Sequence, residues 1–166
     1  MGNAAYLKDL AKWTNGYANA YNDNKARAFT VQAGKNIDDV DVRLIAAINQ
    51  IGIDYGVKIT ITSGYRSIDD QRDMQNAWDR GERSGLVERP ADPGSSWHNY
   101  GGAVDILING RYPNSSTYDF SNQKLYQPYP SNDPVHFQLI DTKDQNAKTY
   151  GPGYQDSITT WGEIGK

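Results

Sequence analysis

The segment VKITIT, Val57 to Thr62, alternates apolar and polar residues at every step. A period of two marks a strand with one buried face, because successive side chains leave a strand on opposite sides. Two further segments behave alike. In Ala103–Ile108, Val104, Ile106 and Ile108 share one face, and Ala103, Asp105 and Leu107 the other. In Val135–Ile140, Val135, Phe137 and Leu139 oppose His136, Gln138 and Ile140. Strands with one apolar face must form a sheet, and that face must be covered.

The cover is written between the strands. Val42, Ile45, Ile48 and Ile51 recur at close to helical period behind several aspartates that suit an N-cap, and Gly52 or Gly56 can end that helix. Ser67 followed by Asp70 resembles a capping box and opens a second helix ending near Gly81. Pro90, Pro93 and Gly94 break a loop, and Asn109-Gly110 is a hairpin-turn dipeptide. Pro113–Asp133 reads as a long polar, tyrosine-rich connection, and the tail from about Asp141 as loop and short strand. The order predicts an α+β fold, a small, mainly antiparallel sheet with packed helices. Residues 1–36 form an aromatic leader in which Tyr6, Leu10, Trp13, Tyr17 and Tyr21 sit at helical spacing. It is expected to be an extension packing its aromatic stripe on the domain formed by residues 37–166, giving one globular unit. A docking surface for a partner or for glycan is the other reading of that stripe.

The chain has 166 residues, 37% hydrophobic and 22% charged, which suits a single soluble domain. A net charge of -3 with no basic run argues against a nucleic-acid binder. No stretch approaches the ~18 apolar residues of a membrane span. The N-terminus lacks the basic start and apolar core of a signal peptide, so synthesis in the cytosol is expected. There is no cysteine, which excludes disulfides, thiolate sites and cysteine nucleophiles. A transition-metal site would have to use His, Asp and Glu.

Only two histidines exist, and each has an aspartate near it. Asp105 leaves the strand away from the core. His98 lies in the preceding loop, and Gly101 and Gly102 allow the chain to fold back so that the two meet. His136 likewise opposes the apolar side of its strand, and Asp133 stands three residues before it. Two imidazoles and a carboxylate make three protein ligands, the usual count for a catalytic zinc that keeps one position open. Asp133 would then be free to act as a general base. Each histidine alone reads equally as a hydrogen-bonding turn or strand residue, and alternation does not establish that the two strands are neighbours.

Ser96-Trp-His98-Asn-Tyr-Gly101-Gly-Ala103-Val-Asp105 matches the S-x-H-x-x-G-x-A-x-D signature of the LAS zinc peptidases at every fixed position. That group comprises D-alanyl-D-alanine carboxypeptidases and dipeptidases, L-alanyl-D-glutamate endopeptidases and the hedgehog signalling domain. Asp133-Pro-Val-His136-Phe-Gln138 resembles its second motif, and SGYRS, Ser63 to Ser67, an upstream element. The resemblance spans roughly residues 40–140 and implies a hedgehog-like, D-Ala-D-Ala peptidase-like fold around one catalytic zinc ion. It implies His98, Asp105 and His136 as the ligands, Asp133 as catalytic base, and Arg66 as a contact to substrate or oxyanion. Ser96, Gln71 and Gln138 would be supporting hydrogen-bonders.

The implied substrate is the peptidoglycan stem peptide. The missing signal peptide leads us to expect a phage-type lysin or delivered effector that reaches the wall by release or delivery, and the chain is expected to act as a monomer. Many D-alanyl-D-alanine carboxypeptidases have Glu as the base and Trp before the second zinc His; here Asp133 and Val135 stand there, and an Asp base is closer to the L-alanyl-D-glutamate endopeptidases. The approach PADPGSS resembles the carboxypeptidase branch, so D-alanyl-D-alanine carboxypeptidase or D,D-endopeptidase activity is the alternative. A non-catalytic zinc module for wall binding or signalling is disfavoured by the presence of Asp133.

Overall fold

The computed structural model describes residues 27–83, 86 and 88–164. The aromatic helix expected over the first residues lies outside them. Among the described residues, five strands form one sheet in the order β1-β2-β3-β5-β4: β1 (Phe29–Val31), β2 (Ile59–Ser63), β3 (Val104–Ile108), β4 (Leu125–Tyr126) and β5 (His136–Leu139). Only β1 and β2 run parallel; the other three pairings are antiparallel, as the mainly antiparallel expectation requires. No helix among the described residues is long and apolar enough to cross a membrane.

Helix α1 (Val42–Tyr55) covers the apolar face. Asp41 caps its start by accepting from Arg43 N, and Gly56, in the left-handed region at φ 61°, ends it. Leu44, Ile45, Ile48 and Ile51 are fully buried against Ile59, Ile61, Val104, Ile106, Phe137 and Leu139. Burial of each such side chain contributes about 1.5–3 kcal/mol, so strand register is fixed by this face. Helix α2 (Ile68–Asp79) starts at Ser67, whose hydroxyl accepts from Asp70 N. A 3-10 helix (Trp97–Tyr100) leads into β3.

Phe29–Val31, read as part of the leader, is instead a strand of the sheet, paired with β2, and two further segments differ from the sequence reading. The polar connection before Asp133 contains a second 3-10 helix (Phe120–Gln123) and the edge strand β4. The tail is helical: α3 (Ala147–Ser157) starts at Asn146, which caps Lys148 N, and α4 (Trp161–Ile164) follows. Glycine and Pro152 argue against a helix locally. Burial of Ala147, Gly151 and Tyr154 along one stripe overrides them, because that stripe packs on Trp97 and Tyr100.

Candidate metal centre

Strand pairing assembles the site. Ser63 on β2 lies opposite Asp105 on β3, and Asp105 lies opposite His136 on β5. These three residues form a row across the sheet, on the face away from α1. The register shift between Ile61 and Ser63 carries β2 into that row. His98 arrives from the 3-10 helix. Ser96 caps that helix by accepting from His98 N at 3.3 Å, and Gly101 ends it at φ 73°. A side chain at Gly101 would also collide with the Asp39 carbonyl. The turn expected from the glycines is therefore present, and it returns His98 over Asp105.

His98, Asp105 and His136 offer ligand atoms that all lie within 4.8 Å of one another. His98 Nε2 is 3.2 Å from Asp105 Oδ1, and His136 Nδ1 is 3.7 Å from the same oxygen. The outer nitrogens decide what these atoms can do. His98 Nδ1 sits 2.8 Å from the Gly64 carbonyl, which only accepts, so Nδ1 carries the hydrogen and Nε2 presents a lone pair. His136 Nε2 lies 2.8 Å from Gln138 Oε1, which leaves Nδ1 as its lone pair. Asp105 Oδ1 is buried without a hydrogen-bond donor. Three lone pairs thus converge. A proton could join His98 to Asp105 but would leave His136 unmatched, whereas one divalent cation satisfies all three. The donor set of two imidazoles and one carboxylate fits zinc.

The electrostatics follow from burial. Burial opposes ionisation of Asp105, yet His98, His136 and Arg66 hold its carboxyl down at about 2. Burial, with His98 beside it, pulls the His136 imidazole down to about 4, so it is neutral and available as a ligand at pH 7. Asp133 goes the other way. Burial and repulsion from Asp105 push its carboxyl up to about 6, in the range where a group can both take and return a proton. Its Oδ2 is 3.9 Å from His136 Nδ1.

Arg66 is fixed by two neutral partners. Its guanidinium donates to Gln71 Oε1 at 2.8 Å and to Ser63 Oγ at 3.0 Å, and stands 4.0 Å from Asp105 Oδ2. Burial lowers its pKa, opposed by Asp105 and Asp133. Gln71 also donates to the Ala91 carbonyl, and Gln75 to the Pro90 carbonyl and Asp92, which pins the loop 90–92 onto α2 as one wall of the cleft. The cleft encloses about 300 Å³, and all eight residues singled out from the sequence line it. Gly64 and Asn99 were not singled out. Asn99 donates to the Arg66 carbonyl at 2.8 Å and its Oδ1 accepts from Gly94 N and Ser96 N. Its place between the signature's fixed positions gave no sign of that role.

The family model VanY, described as D-alanyl-D-alanine carboxypeptidase, matches residues 32–150. Among solved structures, the LdcB LD-carboxypeptidase shares 22% identity at a TM-score of 0.50, over 84% of this chain and 75% of that one, and shows the same fold. VanYB, solved in complex with D-Alanine-D-Alanine, shares 22% identity at a TM-score of 0.48, over 72% of this chain and 78% of that one. The vancomycin resistance D,D-pentapeptidase VanY, solved in complex with Zn(II), shares 17% at 0.45, over 76% and 84%. No curated protein matches.

Proposed function

The chain belongs to the VanY family, the D-alanyl-D-alanine carboxypeptidases, and from that membership we propose that it hydrolyses one amide of the peptidoglycan stem peptide with a single zinc ion held by His98, Asp105 and His136. The observation that carries the proposal is the convergence of three lone pairs beside a free carboxylate, Asp133, whose carboxyl sits near 6. When bound, the ion supplies Lewis-acid polarisation and makes water more acidic.

The chain's own residues supply the rest. The Asp133 carboxylate takes a proton as the water oxygen bonds to the substrate carbonyl carbon. It then gives that proton to the nitrogen as the carbon–nitrogen bond breaks, releasing a carboxylate and an amine. Arg66, held by Gln71 and Ser63, faces the oxygen on which negative charge builds. Ser96 keeps the backbone of His98 in place, and Gln138 keeps the ring of His136 in place.

For the bond cut, the L-alanyl–D-glutamate amide is the first reading. Asp133 in the base position supports it. Cleavage of the D-alanyl-D-alanine terminus is the second, favoured by the family's description. Digestion of purified peptidoglycan by the zinc-loaded protein, with mass analysis of the products, separates them. New N-terminal D-glutamate marks the first, and free D-alanine the second. If neither forms, and Asp133→Asn behaves as the unaltered protein does, the enzymatic proposal is wrong.

A further inference from the structure

A line of buried hydrogen bonds runs from the 3-10 helix after β5 (Ile140–Thr142) back to His136. Thr142 Oγ1 donates to the Leu139 carbonyl at 2.6 Å. Gln138 Nε2 donates to Thr142 Oγ1 at 2.9 Å, and Gln138 Oε1 lies 2.8 Å from His136 Nε2. Thr142 is 1% exposed and Gln138 3%, so bulk water does not compete for these groups.

The direction of the chain is forced from its far end. The Leu139 carbonyl can only accept, so it takes the single hydroxyl hydrogen of Thr142. The Thr142 oxygen is left to accept, which turns the amide NH₂ of Gln138 towards it and Oε1 towards the imidazole. Oε1 can only accept, so His136 Nε2 carries the hydrogen and Nδ1 presents its lone pair towards Asp105. With the Gln138 amide reversed, its NH₂ would face His136 and call for the opposite tautomer, with a hydrogen aimed into the centre.

We infer that Thr142 is a positioning residue of the metal centre: acting through Gln138, it fixes His136 in the tautomer and orientation that present Nδ1. The inference rests on the proposal that His136 is a ligand. Thr142 lies outside the second motif, and neither its spacing nor its chemistry marks it as part of a site.

The test uses the full chain and measures zinc affinity by chelator competition, alongside the His136 tautomer from long-range ¹⁵N–¹H spectra of the zinc-free protein. Thr142→Val keeps the shape but removes the hydroxyl. It should weaken zinc binding about tenfold and replace the single Nε2–H tautomer by a mixture, since partners behind a metal ligand are typically worth 10–100-fold in affinity. Thr142→Ser should restore both readouts. Gln138→Leu should give a comparable loss by a second route, and Thr142→Val should add nothing in that background. Unaltered affinity and tautomer in Thr142→Val would overturn the inference. So would an equal further loss in the Gln138→Leu background, which would mean an independent packing effect. His136→Ala separates the two levels. If it loses zinc while Thr142→Val does not, only the positioning role fails; if it keeps stoichiometric zinc, the ligand assignment fails and this inference with it.

Discussion

Asp105 and Asp133 are carboxylates beside the same imidazole, and their surroundings send them in opposite directions. Asp105 meets His98, His136 and Arg66, which outweigh its burial; Asp133 is pushed up by burial and by Asp105 itself. One stays an anion and the other can exchange a proton. Asp133→Asn keeps the shape and removes the exchange. It should lower kcat by about 10²–10⁴, the usual worth of a general base, with zinc content unchanged by metal analysis. Arg66→Lys keeps the charge but cannot hold Gln71 and Ser63 together. A fall in kcat of roughly tenfold or more, with the fold intact by circular dichroism, is expected from losing the planar donor. Alternation made Asp105 and His136 legible as strand residues facing away from the core, while Arg66, Gln71, Ser96 and Gln138 were drawn only from the family resemblance. Gly64 was not legible, because its part in the site is a backbone carbonyl offered to a ring 34 positions away, and nothing in a residue's type records such a contact.

At the scale of elements, β2, β3, β5 and both main helices follow from alternation and caps. The tail did not, because its stability comes from what it packs on. Tyr154 of α3 makes an edge contact with Trp97 at 5.4 Å and donates to Asp41 at 2.5 Å, while a side chain at Gly151 would enter the ring of Tyr100. Trp97 and Tyr100 flank His98 in the 3-10 helix, so α3 braces the element that carries a donor. Asp41 keeps its bonds to Arg43 when Tyr154 is shortened, so Tyr154→Phe should cost about 1.5–3 kcal/mol in urea unfolding, the range for one hydrogen bond to a charged group. The same group gives a pH test. Burial and the Asp41 carboxylate raise the Tyr154 phenol well above its ordinary 10.0. The folded state therefore holds this proton more tightly than the unfolded one. The contribution is fully present below pH 10 and is lost as pH rises from there through the raised folded value. Unfolding free energies between pH 9 and about 11 should fall for the unaltered protein and fall less for Tyr154→Phe.

Across the whole molecule, the three proposed donors come from parts of the chain that meet only in the folded state. His98 precedes β3, Asp105 lies within it, and His136 opens β5. An ion held by all three binds the folded chain far better than the unfolded one, so occupancy becomes folding stability. At free zinc one hundred times the dissociation constant this amounts to about 2.7 kcal/mol. A chain of this size shifts its midpoint by roughly 2–4 °C per kcal/mol, so chelation should lower Tm by about 5–11 °C. Calorimetry with and without chelator reads this directly, with no substrate present. His136→Ala should already melt low and lose most of the difference. If unaltered protein and His136→Ala respond alike to chelator, the ion is held elsewhere or by fewer donors. Sequence spacing carried the donors as far as two strand faces and a turn. Their union depends on the pairing of β3 with β5, which is a property of the assembled sheet. The chelator response measures that union because an unfolded chain does not bring the three donors together.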